Sequence, residues 1–152
     1  MRYRSILPSI AVIALAGALA AQPMTGTYTI NRFLPAGGGN FNSLASAVTA
    51  LMLSTVGGPV IFDIYDDDPI TGSPSPFTES SPTLYPAGCG VGFPPNTAVL
   101  VMGTFVGVSA VNTVTFRAAL GESPVLDATG KSNAVQWNGA SYTTLEGLDM
   151  GN

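Results

Sequence analysis

Apolar positions in this chain follow three spacings, and each predicts a different kind of element. From Ile10 to Ala21 they are continuous. Leu44, Ala47, Val48 and Leu51 then recur at i, i+3, i+4 and i+7, one apolar face of an α-helix. Elsewhere they come in short runs, often alternating with polar residues as in a strand with one buried face. Gly26 to Ile30 (GTYTI) alternates and is rich in β-branched and aromatic residues, so it predicts a strand. Pro35 to Asn40 is a glycine-rich loop, after which Asn42 or Ser43 can cap the helix by accepting from a free first-turn amide. Gly57-Gly58 falls where a helix C-terminus is expected.

The clearest strand is Pro59 to Tyr65 (PVIFDIY), with Val60, Phe62 and Ile64 on one face and Ile61, Asp63 and Tyr65 on the other. From Asp66 to Pro95 the chain is dense in Pro, Gly and Ser, and it predicts a long surface excursion. Ala98 to Met102 is a further apolar run. Short strand signals follow at Thr113 to Ala118, Pro124 to Asp127, Ala134 to Trp137 and Thr143 to Asp149, separated by glycine-containing turns. This rhythm fits a sandwich, a barrel or a solenoid. Tight hairpin signals are scarce, Asn138-Gly139 being the one candidate, and this favours a solenoid whose strands turn corners over a sandwich whose strands fold back.

The continuous run at the start is short. Met1-Arg2-Tyr3-Arg4 precedes it with two arginines and no acid, and it closes on Ala18-Leu19-Ala20. A basic start, a short apolar centre and an A-x-A end predict a secretory signal over 1–20, cut after Ala20 or Ala21. The run is too short for a membrane span, which takes about 20 apolar residues, and no later segment is long and apolar enough. The expected location is extracellular or at the cell surface. Export permits disulfides, but Cys89 is the only cysteine, so no intrachain bridge forms, and a small buried residue is its simplest role.

Composition narrows the classes further. About 130 residues follow the signal, enough for one core or part of a larger one. Only Arg32, Arg117 and Lys131 are cationic there, against nine carboxylates. Such a surface repels phosphate, which argues against nucleic acid as a partner. Charged residues are 9% of the chain against a usual share near 25%, so Ser, Thr and Asn supply most of the polar exterior.

Gly26-Thr27-Tyr28-Thr29-Ile30, Asn40-Phe41-Asn42-Ser43-Leu44 with Ala47-Val48, and Gly57-Gly58-Pro59-Val60-Ile61-Phe62-Asp63 occur in an order that resembles the start of secreted bacterial right-handed parallel β-helix proteins. Residues 112–118 and 140–148 look like later coils of this pectate-lyase-like superfamily. The resemblance implies a mainly β chain with one helix capping the first coil, an all-β sandwich being the alternative. Two departures stand out. Asp66-Asp67-Asp68 and a long insertion replace the glycine and tyrosine with which such proteins usually turn after this strand. The pattern also stops in mid-coil at Asn152, which leads to the expectation that the native chain continues, a partner covering the open end being the alternative.

Candidate chemistry is sparse. The chain has no histidine, which removes Ser-His-Asp and Cys-His catalysis and His-ligated zinc from this segment. The glycine clusters complete no phosphate-binding motif. Asp127-Ala128-Thr129-Gly130 reads as a turn. Glu146 and Asp149, an odd number apart, are expected on opposite faces of one strand, while Asp127 and Glu146 are candidate neighbours on adjacent coils. Asp66, Asp67 and Asp68 form the sharpest local feature, an oxygen-rich set suited to a hard cation such as Ca²⁺, although they do not fit the D-x-D-x-D-G calcium loop. Among the aromatics, Trp137 is the candidate sugar-stacking ligand, with burial in the core as the competing assignment. The expected function is a non-catalytic structural or binding module of an extracellular β-helix protein, contacting polysaccharide or a cell-surface component. The alternative is the N-terminal segment of a polysaccharide lyase or glycoside hydrolase whose active site lies beyond residue 152.

Overall fold

The computed structural model describes residues 22–68, 71–73, 75–78 and 98–151. The predicted signal, Cys89 and most of the 66–95 segment lie outside them. The described chain is mainly β with one helix, and every pairing between its named strands is parallel. Strand β1 (Met24–Ile30) is followed by the two-residue β2 (Asn40–Phe41), helix α1 (Leu44–Leu53) and β3 (Val56–Ile64). β2 and β3 pair with opposite edges of β1, so α1 is the crossover that parallel strands require.

Ser43 caps α1, its hydroxyl accepting from the Ser46 N–H at 3.0 Å. The four residues picked out by helical spacing are its buried face, packed toward β1, β2 and β4 (Ala98–Met102). The helix ends at Leu53 with Ser54 as C-cap. Gly57-Gly58 does not terminate it: both glycines lie inside β3, where an added Cβ would meet Pro23 Cβ at 2.7 Å or Thr25 Oγ1 at 2.4 Å. Close approach to β1, and not helix capping, is what requires glycine there.

Beyond β4 the chain forms β5 (Val114–Ala118), β6 (Val125–Asp127), β7 (Asn133–Trp137), β8 (Thr143–Glu146) and β9 (Asp149–Gly151). These build three parallel sheets, ordered β2-β1-β3-β5-β8, β4-β7 and β6-β9. The chain visits them in rotation. From β3 it passes Phe77, which bridges Leu126 of β6 in parallel, then β4, β5, β6, β7, β8 and β9 in turn. Gly147, at φ +65°, ends β8 and starts the turn into β9, so the single strand expected over 143–149 is two strands in different sheets. Asn138-Gly139 likewise turns a corner between sheets, since β7 and β8 do not pair. Parallel pairing throughout disfavours the sandwich alternative, whose strands fold back.

Inward positions align from strand to strand. Tyr28, Phe62, Phe116 and Leu145 occupy one register, as do Gly26, Val60, Val114 and Thr143. Phe62 and Phe116 stack with ring centroids 4.6 Å apart, and Tyr28 and Phe41 lie 5.6 and 5.7 Å from Phe62. Phe77 corrects the expectation that 66–95 is all surface. It is fully buried in the core, and the Arg32 guanidinium lies 4.1 Å from its ring centroid. Gly107 (φ +90°) shows how tightly the loop after β4 returns to β3: a Cβ there would sit 2.4 Å from the Val56 carbonyl.

Removing the central ring tests this register. Phe62→Ala should cost about 3–5 kcal/mol in urea unfolding, whereas Thr27→Ala on the outer face should stay within about 0.5 kcal/mol. Equal losses would contradict an interior built on the aromatic column.

Candidate functional site

Alternation that sends Phe62 and Phe116 inward sends their neighbours outward. Thr29, Asp63, Arg117 and Glu146 therefore share one register on the exposed face of the largest sheet. Arg117 Nε donates to Asp63 Oδ1 at 2.6 Å. That hydrogen bond and the Asp63 charge, with a smaller contribution from Glu146, raise the guanidinium above its ordinary range. Thr27, Ile61, Thr115 and Thr144 occupy the next outward register.

At the C-terminal ends of β3 and β5 this face deepens into an open pocket of about 420 Å³, lined by Asp63, Tyr65, Arg117, Ala118, Ala119 and Leu120. Two backbone bonds hold its walls: the Tyr65 N–H donates to the Ile30 carbonyl and the Ala119 N–H to the Ile64 carbonyl. Leu120 is fully exposed at its rim. The pocket thus combines a cation, a carboxylate, a phenol and an apolar edge, a mixture suited to a polar ligand with an apolar face.

The corner next to it is acidic. Glu122 Oε2 accepts from the backbone N–H groups of Asp66 and Asp67 at 3.0 and 3.1 Å, and Asp66 Oδ1 accepts from the Ser123 N–H at 3.4 Å. Asp66 is 3% exposed. Burial, and then its hydrogen bond to Glu122, push the Asp66 carboxyl above the ordinary aspartate range. Burial acts upward on Glu122 too, but hydrogen bonds from the Asp66 side chain and from the Asp67 and Asp66 amides outweigh it and hold Glu122 low. The shifts are opposite, so Asp66 takes up a proton before Glu122 as the pH falls.

The structure regroups the predicted cation ligands. Asp66 and Asp67 come together with Glu122, their oxygens within 4.8 Å of one another. Asp68 instead accepts from Thr71 Oγ1 at 2.9 Å and closes the 68–72 turn. Such an oxygen set suits a hard cation only with both acids ionised, and here Glu122 is already engaged by two amides and by Asp66. Trp137 is 51% exposed, which corrects its assignment to the core. It ends β7 opposite Met102, and among the described residues no strand pairs on the other edge of β7.

Asp127 forms the expected turn, accepting from the Thr129 N–H and Oγ1 at 2.8 and 2.6 Å, which with a small contribution from Lys131 holds its carboxyl low. It pairs with Gly151 and not with the strand of Glu146, so the two are not neighbours. Glu146 and Asp149 lie on different strands. Sequence reasoning missed Tyr65, Arg117 and Glu122 as site residues. Aligning Phe62-Asp63 with Phe116-Arg117 would have found the ion pair, because equal positions on stacked strands are neighbours. No local signal marks Glu122.

Comparison with protein-family models, curated proteins and solved structures finds no match. Among the described residues no helix is long and apolar enough to cross a membrane.

The acid pair makes stability pH-dependent in both directions. Asp66, raised in the fold, contributes stability that is lost as pH climbs from the ordinary value of 3.8 through its own higher one. Glu122, lowered in the fold, contributes stability that is lost as pH falls from the ordinary value of 4.5 through its own lower one. Thermal midpoints should therefore peak in the acid range between these limbs and decline toward neutrality. Glu122→Gln, which keeps an acceptor for the two amides, should flatten the decline; an unchanged profile would show that the pair is not coupled.

Proposed function

We propose that this chain is the N-terminal cap and first coils of a secreted, right-handed parallel β-helix module whose exposed sheet face contacts polysaccharide at the cell surface. The rotation of the chain through three parallel sheets, with α1 packed near the start of the stack, is the observation that carries the solenoid reading. Right-handed winding follows from the strong handedness preference of parallel crossovers. The leader-like residues 1–20 support export. The contact surface is the threonine-rich face around Asp63, Arg117 and Tyr65. There hydroxyl, guanidinium and carboxylate groups can hydrogen-bond a sugar while Tyr65 and Leu120 meet its apolar side.

A second reading is favoured by the Asp63–Arg117–Glu146 register. Charged groups gathered on one sheet face are also what a lyase or hydrolase segment presents, with further catalytic residues on coils after these. One assay separates the two. The secreted protein should be retained on at least one of immobilised cellulose, chitin, xylan or pectin without releasing reducing ends or unsaturated products. Tyr65→Ala and Arg117→Ala should each weaken retention at least fivefold while the thermal midpoint moves little. Product release would support the enzyme, and absence of retention on all four would defeat the glycan reading.

A further inference from the structure

Among the residues lining the pocket, Arg117 is the one cation, and its charge is already matched. Its Nε donates to Asp63 Oδ1 at 2.6 Å. Register enforces this pairing, since the two residues lie opposite each other on β3 and β5. On its other side Arg117 lies opposite Glu146 of β8, which is exposed. Both carboxylates act on the guanidinium, Asp63 more strongly than Glu146. The row Asp63, Arg117, Glu146 thus holds one more carboxylate than guanidinium.

The other two cations that follow residue 20 are engaged elsewhere. The Arg32 guanidinium lies over the Phe77 ring and donates to Ser75 Oγ and the Pro76 carbonyl. Lys131 Nζ donates to the Thr78 carbonyl at 3.1 Å. The corner beside the pocket adds only the carboxyl groups of Asp66, Asp67 and Glu122.

An anionic sugar meets such a surface badly. The carboxylate of a uronate seeks a guanidinium as its forked partner. Here it would have to displace Asp63 while approaching Glu146. A neutral sugar needs no exchange. A guanidinium has five N–H donors, and the bond to Asp63 engages the one on Nε. The others can donate to sugar hydroxyls while the Asp63 carboxylate accepts from neighbouring ones, so the ion pair stays intact and serves as a donor and acceptor together.

Resting on the glycan reading of this face, we infer that Asp63 is its specificity-determining residue: by holding Arg117 it restricts the site to neutral polysaccharides and excludes those built of uronates. Glu146 acts in the same sense, more weakly. Specificity of this kind comes from what a site repels as well as from what it contacts.

The test compares retention of the purified protein on immobilised cellulose and chitin, which are neutral, with retention on polygalacturonate. Wild type should be held on a neutral polymer at least about tenfold more strongly than on polygalacturonate at low salt. Asp63→Asn keeps the side-chain shape and an acceptor oxygen but removes the charge, and it should raise polygalacturonate retention at least about fivefold. Adding Arg117→Gln to that variant should abolish the gain, which a merely structural role of Asp63 would not produce. Glu146→Gln, at an exposed position, should give a smaller gain and carries the test if Asp63→Asn fails to fold, as thermal midpoints measured alongside will show. Wild-type retention on polygalacturonate equal to or above that on the neutral polymers, or no gain in the folded variants, would overturn the assignment of Asp63 and leave glycan contact standing. Absence of retention on all three polymers, in wild type and variants alike, would instead defeat the glycan reading and this inference with it.

Discussion

Strict parallel register is the constraint on which the rest of this structure depends. Once Val60 lies beside Val114 and Val114 beside Thr143, every later residue of those strands has its neighbour assigned. A slip of one residue would exchange the two faces, placing Asp63 and Arg117 inside and the phenylalanines in water. The column of Tyr28, Phe62 and Phe116 makes that slip costly, because large rings stack only when aligned. The ion pair on the outer face is a consequence of the same alignment. Partly exposed as it is, it selects register and surface chemistry more than it holds the fold.

Corners carry the remaining burden. A chain that leaves one sheet for the next must satisfy its backbone where no ladder continues, and several side chains do this work. Asn40 accepts from the Asn31 N–H and donates to the Asn31, Leu34 and Pro35 carbonyls, which closes the loop after β1. Arg32 donates to Ser75 Oγ and the Pro76 carbonyl, tying that loop to the segment carrying Phe77. Glu122 serves the corner after β3, where it is half-buried beside the buried Asp66. The Asp66 and Asp67 amides that donate to Glu122 help to offset the repulsion between the two carboxylates there.

Local pattern carried the elements well, and long-range partnership poorly. The helix face, the Ser43 cap alternative, the core-facing residues of 60–64 and the turn at Asp127 were all legible, since each is encoded within a few residues. Gly57-Gly58 misled because glycine serves two needs, positive φ after a helix and close backbone approach in a strand, and only the neighbouring β1 distinguishes them. Phe77 was hidden because a proline-rich composition says nothing of one aromatic docked in a distant core. Glu122 was hidden because its partner is 56 positions away in sequence. The parallel pairing of the named strands was readable only as a shortage of hairpin signals.

The exposed face and the end of the stack are physically linked. A strand added beyond β8 would bury the half-covered interior side chains and, by the same alternation, extend the outer face past Glu146. The charged register would then gain a member, and the polar surface beside the pocket would widen by one strand spacing, about 4.8 Å. Interior and exterior cannot be extended separately in such an architecture. A strand that covered Leu145 would therefore also extend the outer face. The interior column and the outer charged register are in this way expressions of one lattice of neighbours, set by the register of β3, β5 and β8.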